Sequence, residues 1–302
     1  MKKINHIISA NQFTKKDLRE IFKITDRMKT GRYRKPLKNK ILATLFYEPS
    51  TRTRLSFESA MLKLGGQVLT TENAKESSSA FKGESLKDSI KIISSYVDAI
   101  VIRHPDNKSM DVAAKASKVP IINAGNGTDE HPTQAILDFY TISKRLNKFN
   151  NIHIALVGDL KNGRTVHSLI NLMGKYNTHF YFISPAKLKL SVNYKNFLDS
   201  ENINYLEEKL ENIINKIDVL YMTRIQKERF ESLSEYKKIN RSYLLSPKIV
   251  KRMKKDSIIL HPLPRIQELP EEIDDDYRSY YFKQAENGLY ARMALLYRIL
   301  RS

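Results

Sequence analysis

Apolar runs of strand length alternate along the whole chain with segments whose apolar residues recur every three or four positions. This alternation is typical of parallel α/β proteins, because each parallel strand needs a crossover connection to reach the next one. The series begins with a helix predicted over 14–28 and a strand over 41–46, and it closes with a helix over 287–300. The chain is therefore expected to form central, mainly parallel sheets flanked by helices.

The pattern restarts near the middle of the chain, where a predicted strand at 152–157 and helix at 164–176 repeat the order first seen at 41–64. A length of 302 residues is about twice that of a usual single domain. We therefore expect two doubly wound α/β domains. The first would cover 1–145 together with the C-terminal helix 287–302, which crosses back to it, and the second would cover 146–286.

Shorter elements follow from the same periodicity. Four side chains of the helix after residue 50 are expected to point into the core: Leu55, Met61, Leu62 and Leu64. Further strands are expected at 98–102, 120–122, 180–183, 218–221 and 257–260. The polar stretch 188–209 has no clear period and receives no assignment.

Composition excludes several classes of protein. The chain has no cysteine, so it holds no disulfide framework, thiolate zinc site, iron–sulfur cluster or cysteine nucleophile. The seven histidines show no metal-ligand spacing, and we expect no metal and no cofactor. Neither a signal peptide nor an apolar run of about 18 residues is present, so we expect a cytoplasmic protein without a membrane segment.

The formal net charge of +19 raises the alternative of a nucleic-acid-binding protein. Both halves of the chain are basic, and neither a basic tail nor an arginine-rich arm is present. This distribution favours a solvated basic surface over a dedicated nucleic-acid face. We therefore do not expect nucleic acid as a partner.

Three hydroxyls and two guanidinium groups alternate in Ser50, Thr51, Arg52, Thr53 and Arg54, where a strand ends and a helix begins. Backbone N–H groups at a helix start bind anions, and arginine adds bidentate donors for phosphate. A plain Ser/Thr cap would need fewer of these groups. The segment is predicted to bind a phosphate-like anion.

The segment 158–165 has the spacing of a nucleotide-binding P-loop. Arg164 stands where that motif has lysine, and Asp218 opens its predicted strand where a metal-holding aspartate would close one. The match is weak. An arginine at this helix start is better suited to binding a carboxylate.

Further polar groups follow predicted strands, where α/β sheets place their ligands. Arg103 follows one strand, and His131 and Gln134 open the helix after the next. Each histidine or arginine alone is also compatible with a cap or a packed side chain. In segment 261–265 the prolines leave backbone carbonyls able to accept from a ligand amine.

Together these segments resemble the aspartate carbamoyltransferase family over nearly the whole chain. The resemblance is carried by seven segments: 46–64, 82–84, 103–105, 131–134, 163–165, 223–226 and 261–265. The sister family, ornithine carbamoyltransferase, has a cysteine-containing segment at the position of 261–265, and this chain has no cysteine. The resemblance therefore implies an enzyme of pyrimidine biosynthesis that transfers the carbamoyl group of carbamoyl phosphate to L-aspartate.

The resemblance also implies a role for individual residues. The expected carbamoyl phosphate ligands are Ser50, Thr51, Arg52, Thr53, Arg103, His131, Gln134, Pro262 and Leu263. Five of these are expected to be catalytic: Arg52, Thr53, Arg103, His131 and Gln134. The expected aspartate ligands are Lys82, Arg164, Arg224 and Gln226.

Ser78 and Lys82 are expected to come from a neighbouring subunit, which implies a homotrimer with shared active sites; Ser77 and Ser79 are alternatives to Ser78. The resemblance leaves open a zinc-containing regulatory chain that would give a larger dodecamer. Two other functions stay as alternatives. One is a carbamoyltransferase for a different amine, and the other is a nucleic-acid-binding protein of this fold that has lost activity.

Overall fold

The computed structural model describes residues 6–74, 83–226, 230, 232–241 and 243–301. Its contacts divide the chain into two compact units. Unit 1 comprises Met1–Leu137 and Glu286–Ser302, and unit 2 comprises Asp138–Ala285. The sequence-based boundaries at 145 and 287 lie eight residues and one residue later than these divisions.

Unit 1 is built on a four-stranded parallel sheet in the order β2-β1-β3-β4. Its strands are β1 (Ile41–Phe46), β2 (Gln67–Glu72), β3 (Ala99–His104) and β4 (Ile121–Asn126). Its helices are α1 (Lys15–Lys29), α2 (Thr51–Lys63), α3 (Leu86–Ile93), α4 (Ser109–Ala116) and the start of α5 (Pro132–Leu146). Every connection between paired strands is a crossover, as the alternating sequence pattern predicts.

Unit 2 has a five-stranded parallel sheet in the order β7-β6-β5-β8-β9. Its strands are β5 (Ile152–Val157), β6 (Thr178–Ile183), β7 (Tyr205–Glu207), β8 (Val219–Met222) and β9 (Ile258–Leu260). Its helices are α6 (Arg164–Met173), α7 (Val192–Ser200), α8 (Leu210–Ile213), α9 (Leu233–Arg241) and α10 (Pro247–Val250). The last helix, α11, covers Tyr281–Leu300. The expected class of two parallel α/β domains is confirmed.

Local chemistry explains where the first helix begins. The Thr14 hydroxyl accepts from the backbone N–H of Asp17 (3.1 Å), and the Asp17 carboxylate accepts from the N–H of Thr14 (2.9 Å). This reciprocal cap stabilises a helix start by about 1 kcal/mol. The predicted cap at Thr14 is confirmed.

The C-terminal part of α11 packs within unit 1 against the first helix of the chain. The Lys29 ammonium donates to the Asn287 side chain (3.0 Å), and the Arg298 guanidinium is paired with Asp17. Arg292 lies over the ring of Phe57, 5.2 Å from its centroid. The two ends of the chain are therefore joined through the same unit.

Several sequence expectations are wrong in detail. Leu55 and Leu62 do not point inward, since 47% and 59% of their surface is exposed. Helix α11 starts at Tyr281, six residues before the predicted start at 287. Strand β4 continues to Asn126 instead of ending at 122. The unassigned stretch 188–209 contains α7 and β7, in which Leu198 is the one buried residue.

Within the described part of the chain, no helix is both long enough and apolar enough to cross a membrane.

Candidate active site

The predicted site residues of unit 1 follow the carboxyl ends of three adjacent strands. Arg103 lies near the end of β3, the central neighbour of both β1 and β4. Its carbonyl accepts from the N–H of Tyr47 beyond β1 (2.9 Å), and the carbonyl of His104 accepts from the N–H of Gly127 beyond β4 (2.9 Å). Backbone hydrogen bonds thus hold the three strand exits at one edge of the sheet, where an open α/β sheet binds its ligands.

Helix α2 begins at this edge without a side-chain cap. Ser50 occupies the N-cap position with an extended φ of −160°, but its hydroxyl makes no capping hydrogen bond. Thr53 in the first turn is 6% exposed, whereas Thr51 and Arg52 are exposed. An uncapped helix start of this kind presents backbone N–H groups to an anion, and the helix dipole favours negative charge there.

The contacts of Arg54 differ from the sequence-based prediction for this segment, in which both arginines bind the anion. Its Nη2 lies 2.7 Å from the Glu72 carboxylate on β2, and its Nη1 lies 3.4 Å from the carboxylate of Glu58 on α2. The guanidinium therefore ties α2 to the sheet. Arg52, not Arg54, supplies the exposed guanidinium at the helix start.

Two further predicted ligands lie at the start of α5: His131 directly precedes the helix, and Gln134 is in its first turn. They are 4% and 9% exposed, and the N–H of Gln134 donates to the carbonyl of His131 (3.0 Å). Arg103 Nε lies 3.4 Å from the Glu48 carboxylate. Burial lowers the pKa of His104, the residue next to Arg103, so its imidazole is neutral at physiological pH.

Glu130, which carries no motif signal and was not predicted as a site residue, supports this turn. Glu130 is 7% exposed, and its carboxylate accepts from the Ser9 hydroxyl (2.6 Å) and from the N–H of Ala10 (3.1 Å). Ile7 in the same N-terminal segment bridges Ile122 of β4. The N-terminal segment is thereby attached to the residue before His131.

The predicted site residues of unit 2 follow β5 and β8, which are neighbours in the sheet. Gly158 after β5 has a φ of +117°, and a Cβ at this position would lie 2.3 Å from the carbonyl oxygen of Thr223 after β8. Glycine is therefore required for the two strand exits to approach each other. Asn162, held by Asp159 (N to Oδ1 3.0 Å), accepts through its carbonyl from Gln226 Nε2 (3.4 Å).

Arg164 is the first residue of α6, and Arg224 lies two residues beyond β8. Both side chains are half-buried. Asp218 precedes β8 and so lies at the opposite, amino edge, where the ammonium groups of Lys148 and Lys254 each donate to it over 2.9 Å. This position separates Asp218 from the 158–163 loop, which follows the carboxyl end of β5.

The exit of β9 has a side chain that fixes its backbone. The N–H of Leu263 donates to His261 Nδ1 (2.8 Å), so the imidazole proton resides on Nε2, which donates to the Glu268 carboxylate (2.9 Å). Leu263 has a φ of +56°, in the left-handed region that is rare for a branched side chain. The Pro262 and Leu263 carbonyls, the predicted acceptors for an amine, lie in this fixed turn.

A cavity of about 520 Å³ opens on the same unit, lined in part by Val157, Ile183, Met222, Tyr243 and Leu245. Arg164, Arg224 and Gln226 do not line it. Ser77, Ser78, Ser79 and Lys82, predicted to serve a neighbouring site, lie outside the described residues.

The fold and the two sets of side chains define a two-domain α/β protein with basic and polar side chains at the carboxyl edge of the sheet in each domain. Residues 5–144 match the family model for the aspartate/ornithine carbamoyltransferase carbamoyl-P binding domain. Residues 150–299 match the model for the Asp/Orn binding domain of the same family. The chain belongs to the aspartate/ornithine carbamoyltransferase family.

Known relatives agree in sequence and in structure. The chain is 49% identical to the aspartate carbamoyltransferase catalytic subunit of Clostridium novyi, covering 98% of this chain and 97% of the relative. It resembles the solved catalytic subunit of M. jannaschii aspartate transcarbamoylase with a TM-score of 0.90 and 46% identity over 98% of each chain. A Trypanosoma cruzi aspartate transcarbamoylase, solved with N-(phosphonacetyl)-L-aspartic acid, aligns with a TM-score of 0.91 and 36% identity over 99% of this chain and 96% of that one.

Proposed function

We propose that this chain transfers the carbamoyl group of carbamoyl phosphate to the amine of L-aspartate, giving N-carbamoyl-L-aspartate and phosphate for pyrimidine biosynthesis. The observation that carries the proposal is the match of both domain models, one for carbamoyl phosphate and one for aspartate or ornithine, over nearly the whole chain. Relatives and structural neighbours named for aspartate support the choice of acceptor.

The groups of unit 1 are suited to the donor. The hydroxyls of Ser50, Thr51 and Thr53 and the guanidinium of Arg52 surround the start of α2 and would bind the phosphate. Three further groups, together with Thr53, would contact the carbamoyl oxygen: Arg103, His131 and Gln134. His131 would act as a donor or an orienting group for this oxygen, because the departing phosphate can take up the proton that the amine loses.

The groups of unit 2 are suited to the acceptor. Arg164 and Arg224 carry planar guanidinium groups that match the two carboxylates of aspartate, and Gln226 adds an amide beside them. The carbonyls of Pro262 and Leu263 would accept from the amine. This division assigns the tetrahedral anion to one unit and the planar anions to the other.

The reaction needs no protein nucleophile. The neutral aspartate amine attacks the carbamoyl carbon to form the C–N bond, and the carbonyl oxygen takes up negative charge. The C–O bond to phosphate then breaks, phosphate leaves with its electrons, and the departing phosphate takes up the proton that the attacking nitrogen loses. Each donor aimed at the developing oxyanion contributes about 2.7–4 kcal/mol, and holding two substrates in register contributes about 7–11 kcal/mol.

We also propose a cytoplasmic homotrimer in which Ser78 and Lys82 of one subunit serve the site of its neighbour. An apolar stripe on α2 supports an interface between copies, since Leu55 and Leu62 are two turns apart and both exposed. Three chains of 35.1 kDa would have a mass of about 105 kDa. A zinc-containing regulatory chain would be added to this trimer and would raise the mass further.

The test is phosphate release from carbamoyl phosphate by the purified chain, with L-aspartate and L-ornithine supplied separately and no metal added. We expect release with aspartate and none above background with ornithine. Release with ornithine alone would contradict the proposed acceptor. Release with neither would contradict the reaction, and a salt titration of nucleic-acid binding would then test the remaining alternative.

A further inference from the structure

We propose that Asp138 is a positioning residue for the aspartate-binding groups of unit 2. It aligns the three segments that carry them, which are the end of β8, the start of α6 and the turn after β9. This inference rests on the proposed function. Asp138 lies in α5 and has no exposed surface. Its two carboxylate oxygens bind two different side chains. Tyr221 donates to Oδ2 (2.7 Å), and Gln284 donates through Nε2 to Oδ1 (2.6 Å).

The first branch leads to both arginines. Tyr221 lies in β8, three residues before Arg224, and has no exposed surface. The Thr165 side chain, which follows Arg164, is also hydrogen-bonded to the Tyr221 hydroxyl. Because a carboxylate only accepts hydrogen bonds, the Tyr221 proton points to Asp138 and the Thr165 hydroxyl is the donor to the tyrosine oxygen.

The energetics of this branch favour a single arrangement. Burial, reinforced by the charge of Asp138 and its hydrogen bond, raises the pKa of Tyr221 well above its ordinary value. The tyrosine therefore keeps its proton, and the direction of each hydrogen bond in the branch is fixed. A fixed direction holds the beginning of α6 beside the end of β8.

The second branch leads to the turn after β9. Since Nε2 of Gln284 donates to Asp138, Oε1 must face the other way, and it accepts from the backbone N–H of His261 (2.9 Å). Gln284 is 1% exposed and His261 is 2% exposed. His261 in turn accepts from the N–H of Leu263. One carboxylate thus fixes the backbone that presents the Pro262 and Leu263 carbonyls.

An asparagine at position 138 cannot maintain both branches. Its amide has one accepting oxygen, and its NH₂ group must face either Gln284 or Tyr221. Facing Gln284, it forces that amide to flip and removes the acceptor of the His261 N–H. Facing Tyr221, it reverses the hydrogen bonds to Thr165. Each arrangement displaces one of the three segments while the volume of the side chain is nearly unchanged.

The test compares Asp138→Asn with Asp218→Asn in the full-length chain. Both substitutions replace a carboxylate that accepts hydrogen bonds from residues of unit 2. Asp218, however, lies at the amino end of β8, away from the predicted ligands. For Asp138→Asn we expect the KM for aspartate to rise by about tenfold or more and the KM for carbamoyl phosphate to stay within about twofold. For Asp218→Asn we expect both KM values to stay within about twofold of the wild type.

Tyr221→Phe removes only one oxygen atom, and it tests the same branch if Asp138→Asn fails to fold. It is expected to raise the KM for aspartate selectively, and the double variant Asp138→Asn/Tyr221→Phe should be no worse than Asp138→Asn, since the two residues act through one another. Equal changes in both KM values, additive losses in the double variant, or the same effect from Asp218→Asn would overturn the inference.

Binding of succinate, a dicarboxylate without an amine, separates this inference from the proposed function. It is measured calorimetrically with carbamoyl phosphate present. Wild-type binding that Asp138→Asn weakens by about tenfold supports the positioning role even if no carbamoyl transfer is detected. Equal succinate affinity in the two proteins overturns it even if transfer is observed. A wild-type chain that neither binds succinate nor transfers the group overturns both proposals.

Discussion

Helices α2 and α6 both begin at the carboxyl edge of a parallel sheet, but their first residues differ. Ser50 caps α2 and is followed by Thr51, Arg52 and Thr53, whereas Gly163 caps α6 and is followed by Arg164. The Ser50 hydroxyl makes no capping hydrogen bond, and Gly163 has no side chain that could make one. Many short donors around an open helix start suit a tetrahedral dianion, and one planar guanidinium suits a carboxylate. The same backbone feature can thus be adapted to two anions.

The largest effect should follow from Arg52→Ala, which removes the exposed guanidinium of the α2 start. We expect turnover to fall by at least about 100- to 1,000-fold, with the free energy of unfolding unchanged. Arg54→Ala is the control, because Arg54 is paired with Glu58 and Glu72. Steady-state rates and urea unfolding of both variants provide the measurement. A near-normal rate for Arg52→Ala would refute the phosphate assignment.

Mixing two inactive variants tests whether one active site needs residues from two subunits. Arg52→Ala chains and Lys82→Ala chains should each be inactive, and an equal mixture should recover about a quarter of the wild-type rate on random exchange, because about a quarter of all sites then contain both native residues. The rate is measured after reversible dissociation and reassembly. No recovery despite demonstrated subunit exchange would indicate sites contained within single subunits.

Arg224→Ala tests the assignment of the planar anions. A charge-assisted hydrogen bond is worth about 1.5–3 kcal/mol, so the KM for aspartate should rise about 10- to 150-fold while that for carbamoyl phosphate changes little. Arg252→Ala is a matched control, since this exposed arginine of unit 2 donates to the Glu211 carbonyl. Equal increases in both KM values for Arg224→Ala would contradict the division between the units.

The smallest effect concerns stability at the edge of the unit 2 sheet opposite to these ligands. Burial alone would raise the pKa of Asp218, but hydrogen bonds from the His153 N–H, Lys254 and Lys148 outweigh it and bring the pKa below its ordinary value of 3.8. Because the folded-state pKa is the lower one, the carboxylate stabilises the fold above about pH 4, and this contribution is lost as the pH falls through the folded-state pKa.

Asp218→Asn should therefore lower the free energy of unfolding by about 1 kcal/mol near neutral pH and by progressively less under acidic conditions. Denaturant unfolding of both proteins between about pH 7 and pH 2 measures this difference. A difference that stays constant over the whole range would show that the charge of Asp218 does not stabilise the fold.

The parts of the fold that the sequence predicts well are those with a simple burial pattern. Strands β1 and β5 are buried along nearly their whole length, so their apolar runs define 41–46 and 152–157 correctly. Leu55 and Leu62 mislead because an exposed apolar side chain has the same periodic signal as a buried one. Helix α7 was not predicted because its side chains alternate irregularly between polar and apolar.

The predicted ligands Arg103 and Arg224 lie at or just after the ends of strands that the sequence predicts. Their places in the fold therefore follow from the strand prediction. The role of Arg54 depends on Glu72, which belongs to a later strand and gives no local signal. Asp138 is similar, since its two partners are 83 and 146 residues away in sequence. A single aspartate inside a helical pattern is indistinguishable from a surface residue until those distant partners are known.

The attachment of α11 to unit 1 also determines the order in which the chain can fold during synthesis. Arg298 reaches Asp17 across 281 positions of sequence, so unit 1 cannot be completed until the residues of α11 that follow unit 2 have been synthesised. Unit 2 is a continuous segment, and all of it emerges earlier. Although nascent domains generally fold from the N-terminus onward, the unit that begins first in this chain is the one that must finish last.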